Sequence, residues 1–278
     1  KTPKTKLNIN KWIYSELIKT KDKIEKNLKD YRFDEAAKNG YQFAWHSYCD
    51  WYIELSKTIL FSDNEKAKKE VREVSAYIFK QLIVILHPFI PFVTEKIWLK
   101  NKFDNADKNF LMYTNWPSGK ANKNQSINDV SEIIKIISEL RSFKNELNIS
   151  PGAFISISIN KITKKNRGLI KNNKIILKKL GRIANFYETD QEKPSATLII
   201  SGDIFKIYFD ENVDLNLIKE KLVRRQKQYR DEILKISQKL SNKGFIKRAP
   251  KNIVEQEKTN YSNLNNDIKK ISLIIESL

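Results

Sequence analysis

The chain has 278 residues, 40% hydrophobic and 31% charged, with a formal net charge of +19, a composition that buries a core and excludes wholesale disorder. Seven glycines and seven prolines exclude collagen-like or low-complexity material; one cysteine, Cys49, excludes an internal disulfide, and with only His46 and His87 beside it no Cys/His zinc site assembles. The longest apolar run, residues 82–93, is cut by His87, Pro88 and Pro91, well short of a membrane span, and Lys1-Thr2-Pro3-Lys4 does not open a secretion signal. The expectation is a reduced, cytoplasmic, mainly α protein that does not span a membrane. A polyanion is the partner that +19 favours, nucleic acid before anionic membrane. The competing reading is compositional: the chain is crowded with Lys, Asn and Ile, and some lysines serve only to solvate the surface.

Residues 7 to about 117 read as a helical bundle. Ile13, Leu17, Ile24 and Leu28 share one helix face. Tyr31-Arg32-Phe33-Asp34 breaks the rhythm, with Asp34 or a near neighbour as N-cap of a long second helix. Its aromatic residues, Phe43, Trp45, Tyr48, Trp51 and Tyr52, are assigned to the core. The polar stretch at 62–65 precedes a third helix bearing Val71, Val74, Ile78, Leu82 and Ile85, which Pro88 and Pro91 end or kink.

Residues 117–125 read as a polar linker, and a helix follows over about 127–147. After the turn Ser150-Pro151-Gly152, residues 154–159 alternate with period two, as a half-buried strand does. A basic helix over about 168–180 and a hairpin of 196–200 and 204–209 around Ser201-Gly202-Asp203 complete a small α/β region. From residue 213 the rhythm is heptad. Leu215, Leu222, Tyr229 and Ile236 form one row, Val254, Tyr261, Ile268 and Ile275 another. Gly244 is read as a left-handed helix end joining two antiparallel helices. The expected division is 1–117, 118–212 and 213–278. The hairpin is asymmetric in charge: residues 219–251 carry 12 basic and 3 acidic side chains, net +9, and residues 252–278 carry 3 and 4, net −1.

Catalytic constellations are missing. There is no Gly-rich phosphate loop and no G-x-S-x-G. His46 and Cys49 are helix neighbours among aromatic residues, read as a hydrogen-bonded imidazole and a packed thiol.

At the level of whole segments the chain resembles the C-terminal region of bacterial-type valyl-tRNA synthetases. The resemblance rests on Lys11-Trp12-Ile13-Tyr14-Ser15-Glu16-Leu17, on Tyr31-Arg32-Phe33-Asp34-Glu35-Ala36-Ala37, and on Phe43-Ala44-Trp45-His46-Ser47-Tyr48-Cys49-Asp50-Trp51-Tyr52. It continues in Leu86-His87-Pro88-Phe89-Ile90-Pro91-Phe92 and, in the arm, in Lys239-Leu240-Ser241-Asn242-Lys243-Gly244-Phe245 and Ala249-Pro250-Lys251-Asn252. The first segments are shared with isoleucyl and leucyl relatives; the arm is the valyl feature. The resemblance implies an anticodon-binding domain, a small α/β subdomain and a coiled-coil arm of a class I ligase that charges tRNA(Val) with valine. It also implies that the ATP and Mg of the full-length enzyme are held by domains outside this chain, which itself needs no metal or cofactor and is expected to be monomeric and non-catalytic. The start without Met reads as that of an excised fragment.

By the same resemblance Trp12 is the candidate for stacking on an anticodon base, with Lys11 on nearby phosphate and Arg32 on the anticodon stem. The alternative for Trp12 is a place in the bundle core, and for Arg32 a helix-end ion pair. In the arm, Arg224, Arg225, Arg230, Lys239, Lys243, Lys247 and Arg248 are assigned to the tRNA elbow, with Phe245 stacking. Arg225, seven residues after Ile218, falls along the seam. A stand-alone RNA-binding or scaffold protein with a coiled-coil arm, or the equivalent region of an isoleucyl or leucyl enzyme, are the competing assignments.

Overall fold

A computed structural model describes residues 3–103, 110–120, 125–193, 195–209 and 213–278, without the side chains of residues 126, 243, 247, 248, 251, 270 and 277. The chain divides into two compact units, residues 1–134 and 135–278. The expected linker lies partly outside the described residues, as do the residues that precede the arm.

In the first unit, α1 (Asn8–Lys29) turns Ile13, Leu17, Ile18 and Ile24 into the core. Its N-cap, Leu7, has no capping side chain. The Glu70 carboxylate replaces one, accepting from the amides of Lys6 and Leu7 at 2.8 Å each and from Asn10 Nδ2 at 3.0 Å. A carboxylate there also suits the positive end of the helix dipole. The buried Asn10 in turn accepts from Tyr52 Oη at 2.8 Å.

α1 ends in a Schellman turn. The Arg32 amide donates to Asn27 O at 2.8 Å and that of Tyr31 to Leu28 O at 3.2 Å, with Tyr31 at φ 57°. The second helix then starts at Phe33, with Arg32 rather than Asp34 in the cap position and no side-chain cap; Asp34 and Glu35 sit in its first turn. It is continuous but not uniform: α2 (Phe33–Gln42), an 11-residue π-helix (Phe43–Ile53) and α3 (Glu54–Leu60). Within the π segment the buried residues are Phe43, Tyr48 and Tyr52, at spacings of five and four, as a wider helix requires. Trp45 falls off that row. The expectation that it is core, which assumed ordinary α winding, is corrected: it is 54% exposed.

α4 (Glu65–Leu86) begins where Asn64 accepts from the Ala67 amide and ends just before His87-Pro88; α5 (Pro91–Asn101) starts with proline in its first turn. Ile83, Val84, Trp98 and Leu111 form a second apolar cluster with Phe79 and Phe103 against it. α6 (Gln125–Glu146) crosses the boundary between the two units.

The second unit is built on a four-stranded sheet of order β2-β1-β4-β3. β1 (Ile155–Ser158) runs parallel to β2 (Ile183–Tyr187), which demands a crossover, supplied by α7 (Lys164–Asn172) and α8 (Lys174–Gly181). The single basic helix expected here is these two, broken at Asn173. β3 (Ser195–Ile200) and β4 (Asp203–Phe209) pair from Ser195 opposite Tyr208 to Ile200 opposite Asp203. Ser201 and Gly202 between them both have positive φ, the two-residue hairpin turn that matches strand twist. Asp203, buried, accepts from the Thr163 amide at 2.9 Å and Asn166 Nδ2 at 2.6 Å, tying the start of α7 to this turn.

α9 (Leu215–Ser241) and α11 (Lys251–Ser277) form the antiparallel hairpin, and α11 also packs on β3. Ile218, Leu222 and Ile236 are buried on α9, Val254, Ile271 and Ile274 on α11. Tyr261, expected on the seam, is 37% exposed. The tip is corrected too. Gly244 is not a left-handed helix end but lies in the first turn of α10 (Lys243–Arg248), where Asn242 Oδ1 accepts its amide at 2.9 Å and that of Phe245 at 3.3 Å.

Candidate nucleic-acid interface

On the bundle, the three residues assigned to the anticodon separate by burial. Trp12 is 5% exposed and belongs to the core, so its ring faces are covered by neighbours and the stacking role assigned to it is corrected. Lys11 beside it is partly exposed. Arg32 is exposed at the Schellman turn, and the turn displays more than Arg32: Tyr31 is 81% exposed, Phe33 57%, and their rings meet edge to face at 6.3 Å. A bulky residue in the left-handed region is unfavourable by about 1–2 kcal/mol. Such strain concentrates at functional sites. Farther along the same helix, Tyr41 and the exposed Trp45 stack at 6.2 Å with planes 10° apart. None of these four aromatic residues was assigned to RNA from the sequence, where an aromatic residue on an amphipathic helix looks the same whether it faces in or out.

The nucleophile question closes on geometry. His46 Nδ1 lies 3.2 Å from Asp50 Oδ2, not on Cys49. Cys49 is exposed rather than packed, and its thiol is pushed up, first by desolvation and then by the Asp50 charge, away from the reactive thiolate. His87 lies against Thr94 Oγ1 at 2.8 Å, tying the end of α4 to the start of α5. Among the described residues no group of three His, Cys, Asp or Glu could hold a metal ion, and no helix is long and apolar enough to cross a membrane.

In the hairpin, Arg224 and Arg230 are exposed, and Arg224 lies 3.7 Å from Glu220. Lys239 spans the hairpin to Glu257 at 2.9 Å, so part of its charge is neutralised locally. Arg225 does lie along the seam: half-buried, it donates from Nε to Tyr229 Oη at 2.9 Å, its guanidinium 5.3 Å from the ring centroid. It positions Tyr229 more than it meets a partner. Phe245 is half-buried, and the side chains of Lys243, Lys247 and Arg248 lie outside the described residues. Lys221, Arg224 and Arg225 line an open cleft of about 360 Å³ whose other wall is Asn145 and Glu146 at the end of α6 and Asn148 just past it. The exposed cations of α9 and the net +9 of its segment suit phosphates, which position a nucleic acid without reading its sequence.

A different cation is sealed inside. Lys144 is 1% exposed, and its ammonium donates to the carbonyls of Ala153 at 3.1 Å and Pro151 at 3.4 Å. Burial holds it below the usual lysine range, and Arg141 and Arg182 add to that.

Comparison with known protein families matches the chain in two segments. Residues 10–159 match a family described as the anticodon-binding domain of tRNA ligase, and residues 214–277 one described as the valyl tRNA synthetase tRNA binding arm. The chain is 67% identical over 276 residues to a valine–tRNA ligase of Pelagibacter ubique (strain HTCC1062), covering 99% of this chain and 32% of that protein. It is 33% identical over 280 residues to the valine–tRNA ligase of Bartonella quintana (strain Toulouse), covering 100% and 31%. With the valine–tRNA ligase of Aquifex aeolicus (strain VF5) it shares 29% over 283 residues, 97% of this chain and 24% of the relative. The chain thus spans about a third or less of the curated relatives it matches.

Proposed function

The chain belongs to the family of anticodon-binding domains of tRNA ligases, and on that premise we propose that it is the tRNA-binding C-terminal part of a valine–tRNA ligase. The partner is tRNA(Val). The bundle meets the anticodon loop and the hairpin meets the phosphates of the elbow. Valine activation, and the ATP and Mg that it uses, belong to the remainder of such an enzyme, and no residue of this chain is assigned to them. The chain acts in the cytoplasm as a monomer.

One observation carries this reading. A single chain joins a segment matched as anticodon-binding to a hairpin matched as a valyl arm, and α9 of that hairpin carries Lys219, Lys221, Arg224, Lys227 and Arg230 exposed. On the bundle, the exposed turn at Tyr31, Arg32 and Phe33 supplies a cation between two aromatic rings, the combination that holds splayed bases.

The test is titration of the purified 278-residue chain with tRNA(Val) and with tRNA(Ile) over a range of salt. Tighter binding of tRNA(Val), weakening as salt rises, is expected. The double variant Arg224→Gln/Arg230→Gln should reduce the slope of log affinity against log salt by about 0.7–0.9 for each phosphate no longer neutralised. Equal affinity for the two tRNAs sinks the valine assignment, and failure to bind either sinks the tRNA reading.

A further inference from the structure

Residues 160–213 lie between the two matched segments. Between residues 161 and 182 there are nine Lys or Arg and no Asp or Glu, the same net +9 that the arm spreads over residues 219–251. A chain with 33 acidic residues in 278 would place two or three in a stretch of this length by chance. α7 and α8 bury Ile170, Leu177 and Leu180 and turn the cations outward. Lys164, Arg167 and Lys171 stand at i, i+3 and i+7, one row of a helix face; Lys174 and Lys178, four apart, form a second row on α8. Lys164, Lys171 and Lys178 are exposed, Arg167 and Lys174 partly so.

Parts of the set are held in place. Lys174 lies 5.8 Å from the Phe186 ring centroid, and Arg182, just past α8, lies 5.7 Å from that of Phe154. Arg167 donates to Asn160 O at 2.7 Å. A single anion already samples the combined field: Glu188 pairs with Lys171 at 2.9 Å, and its carboxyl is held below the ordinary range by Lys171 first, with Arg167 and Lys174 adding. A phosphate brings the same charge with more acceptors. An anionic membrane would meet the same cations, but interfacial helices also insert an apolar face, and the exposed large apolar residue on α7 and α8 is Ile175 alone, among the described residues.

We propose that the outward face of α7 and α8 is a further RNA-binding surface, taking the sugar–phosphate backbone of duplex RNA without reading its bases. The proposal rests on the tRNA reading above. It gives the middle region, matched by neither family model, a role of its own.

The decisive comparison uses the 278-residue chain, its Lys164→Gln/Lys171→Gln/Lys178→Gln variant and the corresponding triple Arg variant, titrated with tRNA(Val) and tRNA(Ile) at several salt concentrations. The Gln variant should lose roughly 2–3 units of salt slope, at about 0.7–0.9 for each phosphate it ceases to neutralise, and lose them equally on both tRNAs. The Arg variant should keep the slope. All three should melt together; were the Gln triple to fail to fold, Lys178→Gln alone should lose about 0.7–0.9. If the parent chain binds tRNA and the Gln variant keeps its slope and affinity, this surface is only a solvated face and the tRNA reading stands. If the parent binds no RNA, both fall. Salt-sensitive capture of the parent by phosphatidylcholine–phosphatidylserine vesicles, abolished in the Gln variant while tRNA binding is unchanged, would assign the face to lipid and overturn the proposal.

Discussion

The two units present different residue types to solvent, and each contains a decoy. The first unit is rich in aromatic rings, of which Trp12 is sealed in the core while Tyr31, Phe33, Tyr41 and Trp45 stand in solvent. The second is rich in cations, of which Lys144 is sealed under two carbonyls while Arg224 and Arg230 stand in solvent on the hairpin. Residue type states what a side chain could do for RNA. Burial decides whether it can.

The largest expected effect breaks the comparison on the aromatic side. Trp12→Ala should reduce stability by about 3–5 kcal/mol, because it leaves a cavity where a buried ring had been. Affinity for tRNA per folded molecule should not change. A Trp12→Ala protein that melts normally but binds tRNA about 1–3 kcal/mol more weakly would return the stacking role to Trp12.

Lys144 tests the other side through pH. Its folded pKa is lowered, so between that value and the unfolded value near 10.4 the unfolded chain binds more protons than the folded one. The Lys144 contribution therefore makes the fold more stable as pH rises through that alkaline window. Lys144→Met removes it: relative to the parent, the variant should gain less stability on going from neutral to alkaline pH. At neutral pH the two should differ by no more than about 1–2 kcal/mol, since the missing carbonyl hydrogen bonds offset the relieved desolvation. Identical pH profiles for the two proteins would show that Lys144 is better solvated than its burial implies.

The smallest effect is the most informative. Tyr31→Gly should relieve the left-handed backbone and raise stability by about 0.5–1 kcal/mol. If the turn serves the anticodon loop, the same change should weaken tRNA binding by about 1–3 kcal/mol. A variant that is more stable and binds equally well would leave the strain at Tyr31 without a purpose in RNA binding.

The hairpin teaches a related lesson about how to test a part. From its heptads alone it looks detachable, yet α11 packs on β3, and Gln226 Nε2 donates to Ser272 Oγ at 2.7 Å across the two helices. Deleting residues 213–278 would uncover the sheet as well as remove the arm. Substitution of exposed cations is the cleaner experiment.

Much was legible without coordinates. Apolar periodicity located the helices of the bundle, strict alternation located β1, and Ser201-Gly202 located the hairpin turn of β3 and β4, because those signals are local and depend on helix and strand repeats alone. Arg225 on the seam followed from the same arithmetic. Four features needed tertiary structure. The π winding from Phe43 to Ile53 changes the repeat in mid-helix and so moves Trp45 outward and keeps Tyr52 inward. The edge strand β2 carries too weak an alternation to announce itself and exists because β1 offers it a ladder. Asn242 caps α10 where Gly244 suggested a simple turn. Finally, the choice between Trp12 and Tyr31, or between Lys144 and Arg224, is made by which faces other elements cover. Local pattern fixes the period of a helix and the kinds of side chain it carries; only packing between elements distant in the chain determines which of those side chains remain in water to meet a partner.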